Sequence, residues 1–289
     1  TGSNNTAIGK ESLNNNTTAD NNTAVGYQAL YANTTGAQNT AVGRLALDAN
    51  TTADGNTAIG NAALTANTTG GNNTAAGHNA LGANTSGLGN VAVGMYSLDA
   101  NTTANYNTAI GYQSLSASTT ASALVAVGYN ALAANTTGTN NTAVGYEALD
   151  ACTTGSQNEA FGRSALTNNT TGGYNTAIGH EALMSATTAD NNTAIGYLAS
   201  RSSTIGNNNI AVGREALYTN VAADRNVAIG YRSLYTMSRS TTADTYNVGC
   251  GNESLYSLTT GAFNTAIGGK ALYTSTTADG NTAVGYNAA

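Results

Sequence analysis

A short motif, Asn-Thr-Ala-Val-Gly or a close variant, returns at one fixed step along most of the chain. Its starts fall at Asn5, Asn22, Asn39, Asn56, Asn73, Asn90, Asn107, Leu124, Asn141, Asn158, Asn175, Asn192, Asn209 and Asn226. The next start, Asn247, comes four positions late, and Asn264 and Asn281 resume the regular step. With that first residue as position 1, the 289 residues hold sixteen complete units and one that stops at Ala289. A period this short and strict leaves little choice of fold. Each unit must meet the next through the same contacts, as in a solenoid.

Several columns hardly vary. Position 5 is Gly in all seventeen units, from Gly9 to Gly285, and position 3 is Ala except at Gly249. Position 4 is Val or Ile except at Ala76, Phe161 and Cys250, and position 9 is Leu except at Ser200 and Ala289. Positions 12 to 15 read mostly Asn-Thr-Thr-Gly or Asn-Thr-Thr-Ala. A unit this short cannot hold a helix pair, and dense Asn, Thr and Gly oppose helix. The alternative is all-β: a parallel β-solenoid, or β-roll, with one seventeen-residue coil per unit. Two short strands per coil are expected, near positions 1–4 and 7–10, separated by turns. Residues 1–289 then form a single repeat array, with a four-residue insertion within 235–246.

Each column has a physical role on this reading. Gly9, Gly26, Gly43, Gly60, Gly77, Gly94 and Gly111 mark a turn with φ > 0 that a Cβ would obstruct. Asn at positions 1 and 12 forms side-chain ladders and caps turn amides. Val or Ile at position 4 and Leu at position 9 are expected to fill the coil interior. Position 3 faces the other way from position 4, yet admits almost nothing larger than Ala. A free surface would accept Lys, Glu or Gln there. Both faces of the strand are therefore expected to be packed, one inside the coil and one against another chain, with the two faces not assigned. The simplest such assembly is a side-by-side homotrimer; the alternative is a single rod whose narrow interior takes Ala while the Val face is partly exposed.

Composition narrows the classes further. Charged residues are 8%, Pro and Trp are absent, and the net charge is only −6. Disordered chains carry more charge and Pro and lack phased apolar residues. Nine Lys and Arg make no basic groove, so no nucleic-acid partner is expected. No apolar run approaches the ~18 residues of a membrane helix, so membrane insertion is not expected either. The chain opens on "TGSNN" without Met, and the array is expected to be part of a longer protein.

The stretch "NTAVGYQAL…NTTG", here Asn22–Gly36, resembles repeats of bacteriophage tail fibres. "NTAIG" and "NVAVG", as at Asn107 and Asn90, are similar to the "SVAIG"-type motif in heads of trimeric autotransporter adhesins. The resemblance covers essentially the whole chain. It implies parallel β-rolls assembled as trimers, in a structural and non-enzymatic fibre or stalk that spaces a receptor-binding tip from its anchor. Its location would be extracellular or on the virion surface.

The residues suited to chemistry are dispersed. His78 and His180 share position 6 but lie six units apart, too far to share a metal. Asp48, Asp99 and Asp150 recur only in every third unit. Asp224 and Asp244 fall in neighbouring turns, but the extra residues between them are expected to spoil their alignment, so no carboxylate dyad follows. The Asp of "TTAD" reads as a turn cap. "GGKA" at Gly268–Ala271 lacks the spacing of a phosphate loop. Cys152 and Cys250 occupy different columns about six units apart and are not expected to pair. No catalytic residue, cofactor or metal site is expected, and the chain reads as a non-enzyme.

Two surface features stand out. Position 6 holds Tyr27, Tyr112, Tyr129, Tyr146, Tyr197, Tyr231 and Tyr286, with Arg44, Arg163 and Arg214 between them. Such a ladder either shields the turn backbone or stacks on a host-surface glycan or protein. The inserted stretch Tyr235–Tyr246 reads as a bulge. Two other functions fit the repeat: an ice-binding or adhesive surface built on stacked Thr and Asn of positions 12–14, and a self-assembling extracellular filament.

Overall fold

The computed structural model describes residues 2–289 and divides into two units, Thr1–Asn140 and Asn141–Ala289. Each is a parallel β-solenoid, and no helix occurs among the described residues. In the first unit the strands are Thr6–Ile8, Thr23–Val25, Thr40–Val42, Thr57–Ile59, Thr74–Ala76, Val91–Val93, Thr108–Ile110 and Val125–Val127. Successive strands pair in parallel with identical register, as in Thr23↔Thr40, Ala24↔Ala41 and Val25↔Val42. In the second unit they run from Thr142–Val144 and Glu159–Phe161 to Thr265–Ile267 and Thr282–Val284, again position on position. β-Branched Thr, Val and Ile at positions 2 and 4 suit this pleat.

The expectation that Val and Ile of position 4 fill the coil interior does not hold. Ala of position 3 lies inside: Ala24, Ala41 and Ala58 have no exposed surface, and neither do Ala29 and Leu30 of positions 8 and 9. Val and Ile of position 4 point outward, with Val42 37%, Ile59 47% and Ile110 39% exposed. The coil interior is narrow, and the Leu of position 9 already fills it, leaving room for only a methyl from the strand. At Gly249 even that methyl is gone. A Cβ there would stand 2.5 Å from Ser233 Oγ, which donates to the Gly249 carbonyl at 2.9 Å and meets Ser254 Oγ at 2.8 Å.

The second expected strand is also absent among the described residues. Each coil has one short strand at positions 2–4, and the insertion alone adds a two-stranded pair, Ala223–Asp224 with Ala243–Asp244. Positions 7 and 9 take left-handed backbone instead, as at Gln28 (φ 55°) and Leu30 (φ 50°). A non-Gly residue there costs roughly 1–2 kcal/mol. Full burial of a Leu returns roughly 1.5–3 kcal/mol, and the stacked backbone keeps its partners, with Leu30 N–H donating to Ala46 O at 3.0 Å. Extended geometry is thus exchanged for a tight bend that drives Leu into the core.

Glycine of position 5 is fixed twice over. Gly26 has φ 133°, and a Cβ on it would lie 2.5 Å from the Gly43 carbonyl oxygen of the next coil. Asparagine closes the coil. Asn22 Nδ2 donates to Gly36 O of its own coil at 2.9 Å, while its Oδ1 accepts the Asn39 amide of the next at 2.9 Å. Asn33 of position 12 donates to the same Gly36 carbonyl at 2.9 Å. These side chains are fully buried, so each donor and acceptor must be met inside the protein.

In the second unit the insertion is absorbed in two steps. The pairing of Ala223 with Ala243 and Asp224 with Asp244 takes up three of the four extra residues. Val227 pairs with Val248, so the fourth enters between Asp244 and Val248. Thr245 fills that place, donating to Asp224 O at 2.9 Å and to Asn226 Oδ1 at 2.7 Å.

Candidate functional site

The turn after Gly of position 5 throws position 6 outward, and its tyrosines are half-exposed, with Tyr27 at 39% and Tyr197 at 47%. Tyr112 stacks on Tyr129, ring centres 5.5 Å apart and 10° from parallel. Cations cover other rings of the column. Lys10 sits 5.9 Å from the Tyr27 centre, Arg163 5.8 Å from Tyr146, and Arg214 5.6 Å and 5.7 Å from Tyr197 and Tyr231. Tyr286 is 79% exposed. Position 6 is therefore a capped ladder along much of its length, with ring faces occupied by neighbours from the same unit.

The histidines fall in different units. His78 meets Tyr96 edge-on at 5.3 Å. His180 stacks on Tyr197 at 5.3 Å and lies 3.1 Å from Arg163 Nη1. Among the described residues no three His, Cys, Asp or Glu group as metal ligands, and no pocket is found. Both cysteines are free: Cys152 is buried, with its thiol pushed up to about 11 by desolvation, and Cys250 is half-buried. Lys270 of "GGKA" lies 3.8 Å from Glu253 and 5.6 Å from the Tyr273 ring centre.

The acids mostly serve the turns. Asp20, Asp54, Asp190 and Asp279 each accept a backbone N–H from the preceding coil, at 2.5–2.7 Å. Asp224 and Asp244 correct the sequence expectation, because the split insertion restores their alignment as direct register partners. Asp224 accepts the Asn207 amide at 2.6 Å, and Asp244 is held by Arg225 at 3.0 Å, so each carboxylate has its own donor. Burial, with a smaller push from Asp244, raises the Asp224 carboxyl above its usual range.

The Asn-Thr-Thr columns are not a free lattice. Asn33, Asn50 and Asn67 are buried, and the Thr34 and Thr51 hydroxyls are donated to backbone oxygens of the next coil at 3.0 and 3.2 Å. The Thr of position 14, such as Thr35, stands exposed, whereas most Thr of position 13 are half-buried and only some, such as Thr17 and Thr119, are exposed among the described residues.

A second aromatic column, at position 10, escaped the sequence reading. Tyr218, Tyr235, Tyr256 and Tyr273 stack continuously, with centres 5.2, 5.2 and 5.1 Å apart and planes within 12° of parallel. Beside them, at position 7, run Glu215, Arg232, Glu253 and Lys270. Arg232 reaches Glu215 at 2.6 Å and lies 5.2 Å from the Tyr235 ring centre. Burial pushes the Glu215 carboxyl up, but Arg232 and Arg214 together outweigh it and hold it below its usual range. Four consecutive Tyr in one column were the available signal. No family model matches the chain, and no curated protein matches it in sequence.

Proposed function

We propose that the chain is a structural, non-enzymatic segment of a fibre or stalk, of the phage tail-fibre or cell-surface adhesin kind, that spaces a receptor-binding tip from its anchor. Three copies pack side by side through the outward face of the strands, outside the cell or on the virion surface. The observation that carries this reading is the position 4 column. Val42, Ile59, Val93 and Ile110 in one unit, and Ile178, Ile195, Ile229 and Ile267 in the other, stand 37–47% exposed in register. Single exposed apolar residues are ordinary, whereas a contiguous rank of them marks a contact surface. Its flanking position 2 is mostly short, half-buried Thr or Val, with Glu159 the single charge in that column among the described residues, so a neighbouring chain approaches with little charge to desolvate.

Light scattering on the folded chain tests this. The expected mass is three times the 28.8 kDa of one chain. A stable species of one chain mass at all concentrations overturns the assembly and the fibre role built on it. The double substitution Ile59→Asp with Ile110→Asp is expected to return the assembly to single chains, because each buried carboxylate would lack a partner.

A further inference from the structure

The position 10 column of the second unit has a chemistry of its own. Its four tyrosines cover one another's faces, so what remains for a partner is ring edges and the phenolic ends, with the Tyr218 hydroxyl already engaged by Arg201. All four are half-buried. Alongside it the charges are already paired within the unit, Arg232 with Glu215 at 2.6 Å and Lys270 with Glu253 at 3.8 Å. Arg201 continues the column beyond Tyr218 and pairs with Glu181 at 2.7 Å. The result is a comb whose tyrosine rings stand 5.1–5.2 Å apart, centre to centre, with paired charges beside them and, among the described residues, no pocket to enclose a small ligand.

We infer that this comb, Tyr218–Tyr235–Tyr256–Tyr273 with Arg232 and Lys270 beside it, binds a linear β-linked polysaccharide lying along the column. A regular comb is matched by a partner that repeats its own groups, and an extended β-1,4-linked pyranose chain advances close to one sugar per coil and presents the same edge at every second coil. Sugar hydroxyls bond readily to phenols and to paired ions, and each such bond to a charged group is the stronger kind. A second copy of the chain is the other periodic partner. It fits less well, because charges satisfied within the unit leave no attraction for charges on a copy. Ring faces are hidden, so recognition runs through hydroxyls and not through stacking of sugar on ring.

The inference goes beyond the fibre reading and stands or falls apart from it, since sugar binding and assembly mass are read separately. Titration calorimetry of the full chain with β-1,4-linked oligomers of glucose and of N-acetylglucosamine, from trimer to hexamer, provides the test. Affinity is expected to rise with length up to the hexamer. The double variant Y235F/Y256F keeps the stack but deletes two hydroxyls, and is expected to weaken binding at least about tenfold with an unchanged melting temperature. Tyr27→Phe, in the capped ladder of position 6, is expected to leave binding unchanged. No binding by either hexamer at about 1 mM overturns the inference, as does equal binding by Y235F/Y256F. A change of assembly mass in Y235F/Y256F, without sugar binding by the parent chain, would reassign the comb to contact between copies.

Discussion

In the unit Thr1–Asn140, position 12 is Asn in seven of eight coils; in Asn141–Ala289 it is Asn in two of eight. The first unit therefore carries a long buried ladder: Asn50 Nδ2 donates to Asn33 Oδ1 at 2.9 Å, Asn67 to Asn50 at 3.1 Å, and Asn84 to Asn67 at 2.8 Å. The second places Cys152, Ala186, Met237 and Leu258 at the same corner, all fully buried. It also adds the tyrosine stack outside, where the first unit has Tyr31 alone among mostly small residues such as Asp48, Thr65, Gly82 and Asp99 at position 10. One backbone thus accepts either a polar ladder or apolar filling at one corner. It can do so because Asn of position 1 closes the coil in both units, as Asn39 does on Ala53 O at 2.8 Å and Asn158 on Gly172 O at 2.9 Å.

The comparison can be broken most forcefully at the column the units share. Gly26→Ala and Gly251→Ala each place a Cβ 2.5 Å from backbone of the next coil at positive φ. Strain and overpacking together are expected to cost about 4 kcal/mol in either unit, read by denaturant melts. A mild loss at either would show that the Gly column is not obligatory. Next comes apolar filling, where Leu258→Ala is expected to cost about 3 kcal/mol through the cavity it leaves. Asn67→Ala in the polar ladder is expected to cost about 2 kcal/mol, since it strands the Asn50 acceptor and removes that of Asn84. The same change at Asn220, whose side chain bonds among the described residues to Ala223 of its own turn and to no neighbouring rung, is expected to cost about half as much. Equal losses at Asn67 and Asn220 would mean that the ladder adds nothing to its single rungs.

Acid should separate the units more gently. Arg201 holds the Glu181 carboxyl below its usual range, and Arg232 with Arg214 does so for Glu215. Their ion pairs stabilise the second unit above the ordinary carboxylate pKa of about 4.3 and are lost as pH falls through the lower folded values. Asp99 of the first unit is shifted the other way by burial, so protonation on the way down favours the folded state there. Hydrogen exchange between pH 6 and pH 3, corrected for intrinsic rates, is expected to show protection declining around Glu181 and Glu215 but not around Asp99.

The period, the parallel stacking and the in-register columns were legible because invariance within one chain is itself evidence of self-stacking. The direction of the strand was not. Alternation tells that positions 3 and 4 face opposite ways, but not which faces in, and the larger side chain is the natural choice for a core. Here Leu of position 9 fills the interior through a left-handed bend, which no feature of a Leu residue announces, and Ala24 takes what room is left. The same bend removed the second strand. Position 6 drew attention because its tyrosines recur along the whole chain, whereas the stacked Tyr218, Tyr235, Tyr256 and Tyr273 occupy one column of one unit.

The outward position 4 rank and the assembly proposed on it meet in one natural side chain. Cys250 replaces Val or Ile in that rank, is free, and is half-buried in the single chain, while Cys152 lies fully buried as an internal control. Thiol labelling of the native protein, at assembly concentrations and again after dissociation, reads its cover directly. The account predicts that Cys250 labels at least about tenfold more slowly in the assembly than in single chains, with Cys152 unreactive in both. Rapid labelling of Cys250 at every concentration would contradict it.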